Sequence, residues 1–136
     1  MKPEPVILYV EDDAKSRTIM NLLLKNRMGL QHVTIFEDST DFLTNLRSLR
    51  PVPNIIFLDI HVKPYDGFEM LAMLRLDPVF HRAPIVALTA SVMNEEVQQM
   101  RTMGFDGCLA KPIDLDTFPE ILARLLNGET IWRIID

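Results

Sequence analysis

The chain has 136 residues, 48% hydrophobic and 24% charged, with a formal net charge of −5, which suits one domain able to bury its own core. The acidic balance disfavours a nucleic-acid surface, and Arg47 and Arg50 form only an isolated basic pair. No apolar run has the length of a membrane span, residues 1–5 lack the core of a secretory signal, and the single cysteine, Cys108, excludes an internal disulfide, so a soluble cytoplasmic protein is expected.

The first strand candidate, residues 6–10, runs straight into Glu11-Asp12-Asp13. Ile19, Leu22, Leu23 and Met28 follow at steps that place them on or near one helix face. A second strand candidate, residues 33–36, precedes Phe42, Leu43, Leu46 and Leu49 at helical spacing. Pro51 and Pro53 then break the chain before the third strand candidate, residues 55–58, which ends at Asp59. Phe68, Leu71 and Leu74 mark the next helix. Pro78 and Pro84 separate it from residues 85–88, a strand candidate that ends at Thr89. Val97, Met100 and Met103 form the fourth helical set, closed by Gly104. A weaker strand candidate, residues 107–110, leads to Lys111. Phe118, Ile121, Leu122 and Leu125 complete the pattern, with Gly128 where the last helix should stop. Five strands alternating with five helices predict an α/β fold: a three-layer, doubly wound parallel sheet.

Polar residues stand where these strands end. In an open parallel sheet, ligands bind beyond the carboxyl ends of the strands. If the first, third, fourth and fifth strands are neighbours, Glu11, Asp12, Asp59, Thr89 and Lys111 converge on one cleft. Packed carboxylates repel unless a cation sits among them, and hard oxygen ligands suit Mg2+. A carboxylate can attack phosphorus and form an acyl phosphate. A metal, an ammonium and a hydroxyl donor are natural stabilisers of the transferred group. Each residue also has a plainer reading. Three acids opening a helix complement its dipole. Asp59 and Thr89 alone would be cap or turn residues. Lys111 alone would be a solvated charge. Their joint position at strand ends favours the cleft.

Five stretches carry a resemblance: Ile7-Leu8-Tyr9-Val10-Glu11-Asp12-Asp13, Ile56-Phe57-Leu58-Asp59, Asp66-Gly67-Phe68-Glu69, Leu88-Thr89-Ala90 and Lys111-Pro112. Together they resemble the receiver domain of two-component response regulators, of the single-domain chemotaxis and cell-cycle type. The resemblance covers residues 5–126. It implies a flavodoxin-like sheet of five strands in the order 2-1-3-4-5. It implies one receiver domain over residues 1–136, with its core at 5–126 and a tail at 127–136. Asp59 matches the phosphoacceptor, and Glu11 and Asp12 match the acidic pair that holds Mg2+ with it. The backbone carbonyl of His61 matches a further metal ligand. Thr89 and Lys111 match the hydroxyl and ammonium that contact the phosphoryl oxygens. The Lys111–Pro112 bond is expected to be cis. The implied donor is a sensor histidine kinase or a histidine phosphotransfer protein. The chain would be a phosphoacceptor with self-catalysed transfer and autodephosphorylation, not a turnover enzyme.

Some positions depart from that pattern. Lys63 and Pro64 stand where the family often has Pro-Gly. His61 and Ser91, two residues past Asp59 and Thr89, are expected to tune the phosphoryl lifetime. Cys108 stands where the family usually carries Tyr or Phe, which predicts a weaker or differently built switch. Output to a downstream protein is expected through the fourth strand, fourth helix and fifth strand, where Val92, Met93, Met100 and Met103 lie. The tail contains Ile131, Trp132, Ile134 and Ile135. It could pack back on the domain, pair with another chain as a homodimer, or dock a partner.

Three other functions compete with this reading. One is a degenerate receiver acting only as a binding module. Another is a phosphohydrolase with an aspartyl nucleophile, which wants Asp-x-Asp after the first strand where this chain has Glu11-Asp12-Asp13. The last is a flavodoxin-type flavin module, which wants a Ser/Thr/Gly-rich phosphate loop there.

Overall fold

The computed structural model describes residues 4–90 and 93–133. Ser91, Val92, Ile134 and Ile135 therefore lie outside the described residues. In chain order the elements are β1 (Ile7–Val10), α1 (Ala14–Asn21) with a π-helical continuation (Leu22–Arg27), β2 (Val33–Phe36), α2 (Phe42–Arg47), β3 (Ile55–Asp59), α3 (Gly67–Leu76), β4 (Ile85–Thr89), α4 (Asn94–Met103), β5 (Gly107–Ala110), α5 (Phe118–Leu126) and β6 (Ile131–Arg133). All strand pairs are parallel, in the order β2-β1-β3-β4-β5-β6. The order 2-1-3-4-5 is as expected. The Lys111–Pro112 bond is cis.

Two apolar cores explain the layering. Successive side chains on a strand point to opposite faces. Leu8, Val10, Ile56, Leu58 and Ala87 face one way, onto Phe42, Leu46, Leu71, Leu74 and Met100 of α2, α3 and α4. Ile7, Tyr9, Ile55, Phe57 and Val86 face the other way, onto Met20, Leu23, Phe118 and Leu122 of the α1 and α5 side. β1, β3 and β4 are buried along their whole length, which is why they read as unbroken apolar runs. β2 is half-buried, as suits an edge strand.

Two features differ from expectation. The first is in the α1 segment. Leu22 is 51% exposed, whereas Leu24 is fully buried. The segment passes from α-helix to π-helix at Leu22. The buried face is Met20, Leu23 and Leu24, at i, i+3 and i+4, which leaves Leu22 on the solvent side. The second is the tail, which adds a sixth strand beside the five expected. β6 pairs with β5, Ile131 joins the core against α5, and Trp132 packs on the α4 side with the Arg101 guanidinium 4.7 Å above its ring. Gly107 permits this pairing. A Cβ there would lie 2.5 Å from the Ile131 carbonyl oxygen.

No helix among the described residues is long and apolar enough to cross a membrane.

Candidate functional site

The sheet register brings the polar strand ends level. Val10 pairs with Leu58, Asp59 with Leu88, and Thr89 with Ala110, while the Lys111 N–H donates to the Thr89 carbonyl at 2.9 Å. Residues that follow these pairs project beyond the same end of the sheet. Glu11, Asp12 and Asp59 accordingly offer carboxylate oxygens that lie within 4.8 Å of one another. Glu11 and Asp59 are buried and Asp12 is exposed. Thr89 is buried at the end of β4. Lys111 donates from Nζ to Glu11 Oε1 at 2.9 Å and lies 3.5 Å from Asp59 Oδ2.

The acids of the opening run divide their work. Asp13 caps α1, accepting from the Ser16 N–H at 2.9 Å and its hydroxyl at 2.7 Å. This is the cap role expected of an acid at a helix start. Glu11 and Asp12 belong to the cluster instead.

The cluster is electrostatically unbalanced, with three acids and one lysine. Burial, the hydrogen bond with Glu11 and the charge of Glu11 push the Asp59 carboxyl up to about 7. Burial also opposes ionisation of Glu11, but its hydrogen bonds with Asp59, Tyr9 and Lys111 overcome that and hold it below the usual carboxylate range. Burial pulls Lys111 down, yet its bond to Glu11 and the nearby acids hold it above the ordinary lysine value. Converging carboxylate oxygens suit a hard divalent cation. The donor set therefore fits Mg2+.

The β3–α3 loop flanks the cluster. The His61 N–H donates to Asp59 Oδ1 at 3.2 Å, while the His61 residue as a whole is exposed. Asp66 and Glu69 form a reciprocal capping box that starts α3. Gly67 follows because a Cβ there would come within 2.9 Å of the Ile60 backbone. These contacts give the Asp66-Gly67-Phe68-Glu69 stretch a local physical cause. Cys108 is not part of the cluster. It lies fully buried in the core on the α4 side, in register with Trp132, and burial pushes its thiol up to about 11. Ser91 lies outside the described residues.

Two site-supporting residues were missed in the sequence. The Tyr9 hydroxyl donates to Glu11 Oε1 at 2.6 Å. Its signal is local, since Glu11 follows β1 directly and stands two residues after Tyr9. Ser39 is fully buried and latches the β3–α3 loop. Its Oγ accepts from the Tyr65 N–H and donates to the Tyr65 carbonyl, both at 2.7 Å, and its N–H donates to the Lys63 carbonyl at 3.1 Å. No local pattern could reveal partners 26 residues away.

Comparison with known proteins agrees with this geometry. The response regulator receiver domain profile matches residues 7–123. Response regulator Rcp1 of Synechocystis is 31% identical, over 96% of this chain and 90% of its own length. Stress response regulator protein 1 of Meyerozyma guilliermondii is 28% identical over 88% of this chain, which spans only 57% of that longer protein. Among solved structures, the receiver domain of sensor histidine kinase PA1611 from Pseudomonas aeruginosa has a magnesium ion coordinated in its active site cleft. It matches with a TM-score of 0.78 and 26% identity, over 92% of this chain and 99% of that one. With a profile match from β1 into α5 and a sheet of the expected order, the chain belongs to the response regulator receiver domain family of two-component signalling.

Proposed function

We propose that this chain is the phosphoacceptor of a two-component phosphorelay, with Asp59 as the nucleophile. The observation that carries the reading is the setting of Asp59. It is a buried carboxylate among two other acids, 3.5 Å from a lysine ammonium, at the carboxyl end of a central strand. Mg2+ would be held by Glu11, Asp12, Asp59 and the backbone carbonyl of His61. When bound, it would supply positive charge against the acids and the oxygens of the incoming group.

A carboxylate oxygen of Asp59 attacks phosphorus on a phosphohistidine of a sensor histidine kinase or histidine phosphotransfer protein. The P–N bond breaks, the imidazole departs, and an acyl phosphate remains on Asp59. Lys111 and Thr89 contact the phosphoryl oxygens and stabilise the charge that develops there. His61 and Ser91 tune how long the group persists. The signal leaves through the β4-α4-β5 surface, where Met93 and Met103 are 64% and 44% exposed while Met100 is core. Cys108 has no ring to swing, so the response at this surface is built differently from an aromatic switch. Residues 1–136 act as one unit, because the tail contributes Ile131 to the core. The setting is the cytoplasm.

The test is incubation with acetyl phosphate, with and without Mg2+, read by intact mass beside Asp59→Ala. A metal-dependent phosphoryl adduct is expected on the unmutated chain and none on the variant. No adduct on the unmutated chain would leave only a binding module. An adduct that persists in the variant would move the site.

A further inference from the structure

Glu11 has no exposed surface. A carboxylate withdrawn from water depends on protein donors for both oxygens. Oε2 takes a long bond from the Asp13 N–H at 3.3 Å, and the hydrogen bond between Glu11 and Asp59 is lost once Asp59 carries a phosphoryl group. Oε1 takes two short ones, from the Tyr9 hydroxyl at 2.6 Å and from Lys111 Nζ at 2.9 Å. These two donors differ in kind. Lys111 also faces Asp59 at 3.5 Å, on a long flexible stem. Tyr9 carries its hydroxyl on a ring fixed in the core shared by Met20, Leu23, Phe57 and Phe118. A phenol is an O–H donor at neutral pH.

The spacing explains why a tyrosine is needed. Two residues along a strand advance about 6.6 Å. A tyrosine ring laid along the strand carries its oxygen that far. Serine, threonine and asparagine end too soon, and phenylalanine has the reach without the donor. The hydroxyl therefore arrives at the carboxylate two residues ahead from a rigid support.

We propose that Tyr9 is a positioning residue whose hydroxyl pins Glu11 and so frees Lys111 to move onto the transferred phosphoryl group. This inference rests on the reading of Asp59 as acceptor. If Lys111 were the sole short donor to Oε1, its departure toward the phosphoryl group would strand a buried anionic oxygen. That penalty would fall on the phosphorylated state. With Tyr9 in place, Glu11 keeps one short bond throughout. The same bond holds the Glu11 carboxylate in one orientation toward the acid cluster, which favours cation binding.

Tyr9→Phe tests this because it keeps the ring and its core contacts. Mg2+ alone is titrated calorimetrically, phosphorylation by acetyl phosphate is followed at saturating Mg2+, and melting is measured in EDTA. The expected result is Mg2+ binding weakened roughly tenfold and a phosphorylation rate lower by roughly three- to tenfold, with little change in melting temperature. A lowered melting temperature with Mg2+ affinity and rate unchanged would overturn the proposal, since that is what a purely structural role produces. If Tyr9→Phe does not fold, the unmutated chain serves. Its two tyrosines, Tyr9 and Tyr65, are labelled with carbon-13 at Cζ and assigned with Tyr65→Phe. The Tyr9 resonance is expected to move on phosphorylation as Lys111 leaves Oε1. A Tyr9 resonance unmoved in protein that does carry the adduct overturns the proposal. Absence of any adduct on the unmutated chain counts against the Asp59 reading instead.

Discussion

The two ends of the sheet handle buried charge in opposite ways. At the amino end of the strands, Asp77 and Asp106 each have their own arginine. Asp77 is buried and accepts from Arg47 Nε at 2.9 Å, Arg47 NH2 at 2.6 Å and the Val79 N–H at 2.8 Å. Burial works against its ionisation, but these partners outweigh it and hold the carboxyl below the usual range. Asp106 likewise accepts from Arg75 at 2.7 Å and from the Ile85 N–H at 2.9 Å. At the carboxyl end, three acids share one lysine, and Asp59 sits near 7. Matched pairs of this kind hold loops in place and have nothing left to bind. The unmatched cluster keeps an excess of negative charge that a cation can relieve. Perturbed titratable groups gathered in one cleft mark a candidate functional site.

That contrast can be broken from either end. The largest effect is expected for Arg47→Ala, which strands buried Asp77. The cost should be about 2 kcal/mol in urea unfolding at neutral pH, below the figure for a fully buried pair because Arg47 is half in water. The folded pKa of Asp77 is depressed, so its stabilisation is present above the unfolded value of about 3.9 and is lost as pH falls through the folded value. The deficit of Arg47→Ala should therefore narrow in acid. A deficit constant from pH 7 to pH 3 would show that Asp77 is not the cause.

Asp59→Asn should act in the opposite direction. Removing one charge from the overloaded cluster is expected to stabilise the metal-free protein by about 1–2 kcal/mol. Millimolar Mg2+ should raise the melting temperature of the unmutated chain and move that of the variant much less. A destabilised Asp59→Asn would mean that the cluster is balanced after all, and the contrast between the two ends would fail.

The smallest effect is expected for Ser39→Ala. It removes two bonds to the Tyr65 backbone beside the cluster, at a cost of about 1 kcal/mol. Equilibrium unfolding checks it, and a gain in stability would remove Ser39 from the supports of the loop.

Much of this was legible in the chain because its signals are local. β1, β3 and β4 are short apolar runs, and each is followed at once by the residue that enters the cleft. The parallel order follows from strands alternating with helices. Leu22, Leu23 and Leu24 are equally apolar, so the run does not say which of them turn inward; Met20, Leu23 and Leu24 do, and Leu22 faces solvent. The chain does not choose among three fates for the tail, because Ile131 and Trp132 are equally apolar whether they pack inward or outward. Only the absence of a Cβ at Gly107, 24 positions earlier, lets β6 lie against β5.

The sequence by itself determined the fold class, the strand order through its resemblance, and the placing of Glu11, Asp12, Asp59, Thr89 and Lys111 at the ends of the strands. Apolar period and residue chemistry are written one position at a time, so they survive without coordinates. The tertiary structure decided which acid does what. It made Asp13 a helix cap, set Tyr9 and Lys111 on the same oxygen of Glu11, tied Ser39 to the loop after Asp59, and added the sixth strand. Those outcomes depend on distances between residues far apart in the chain and on how many donors reach one buried carboxylate. Neither is a property of any single stretch of sequence.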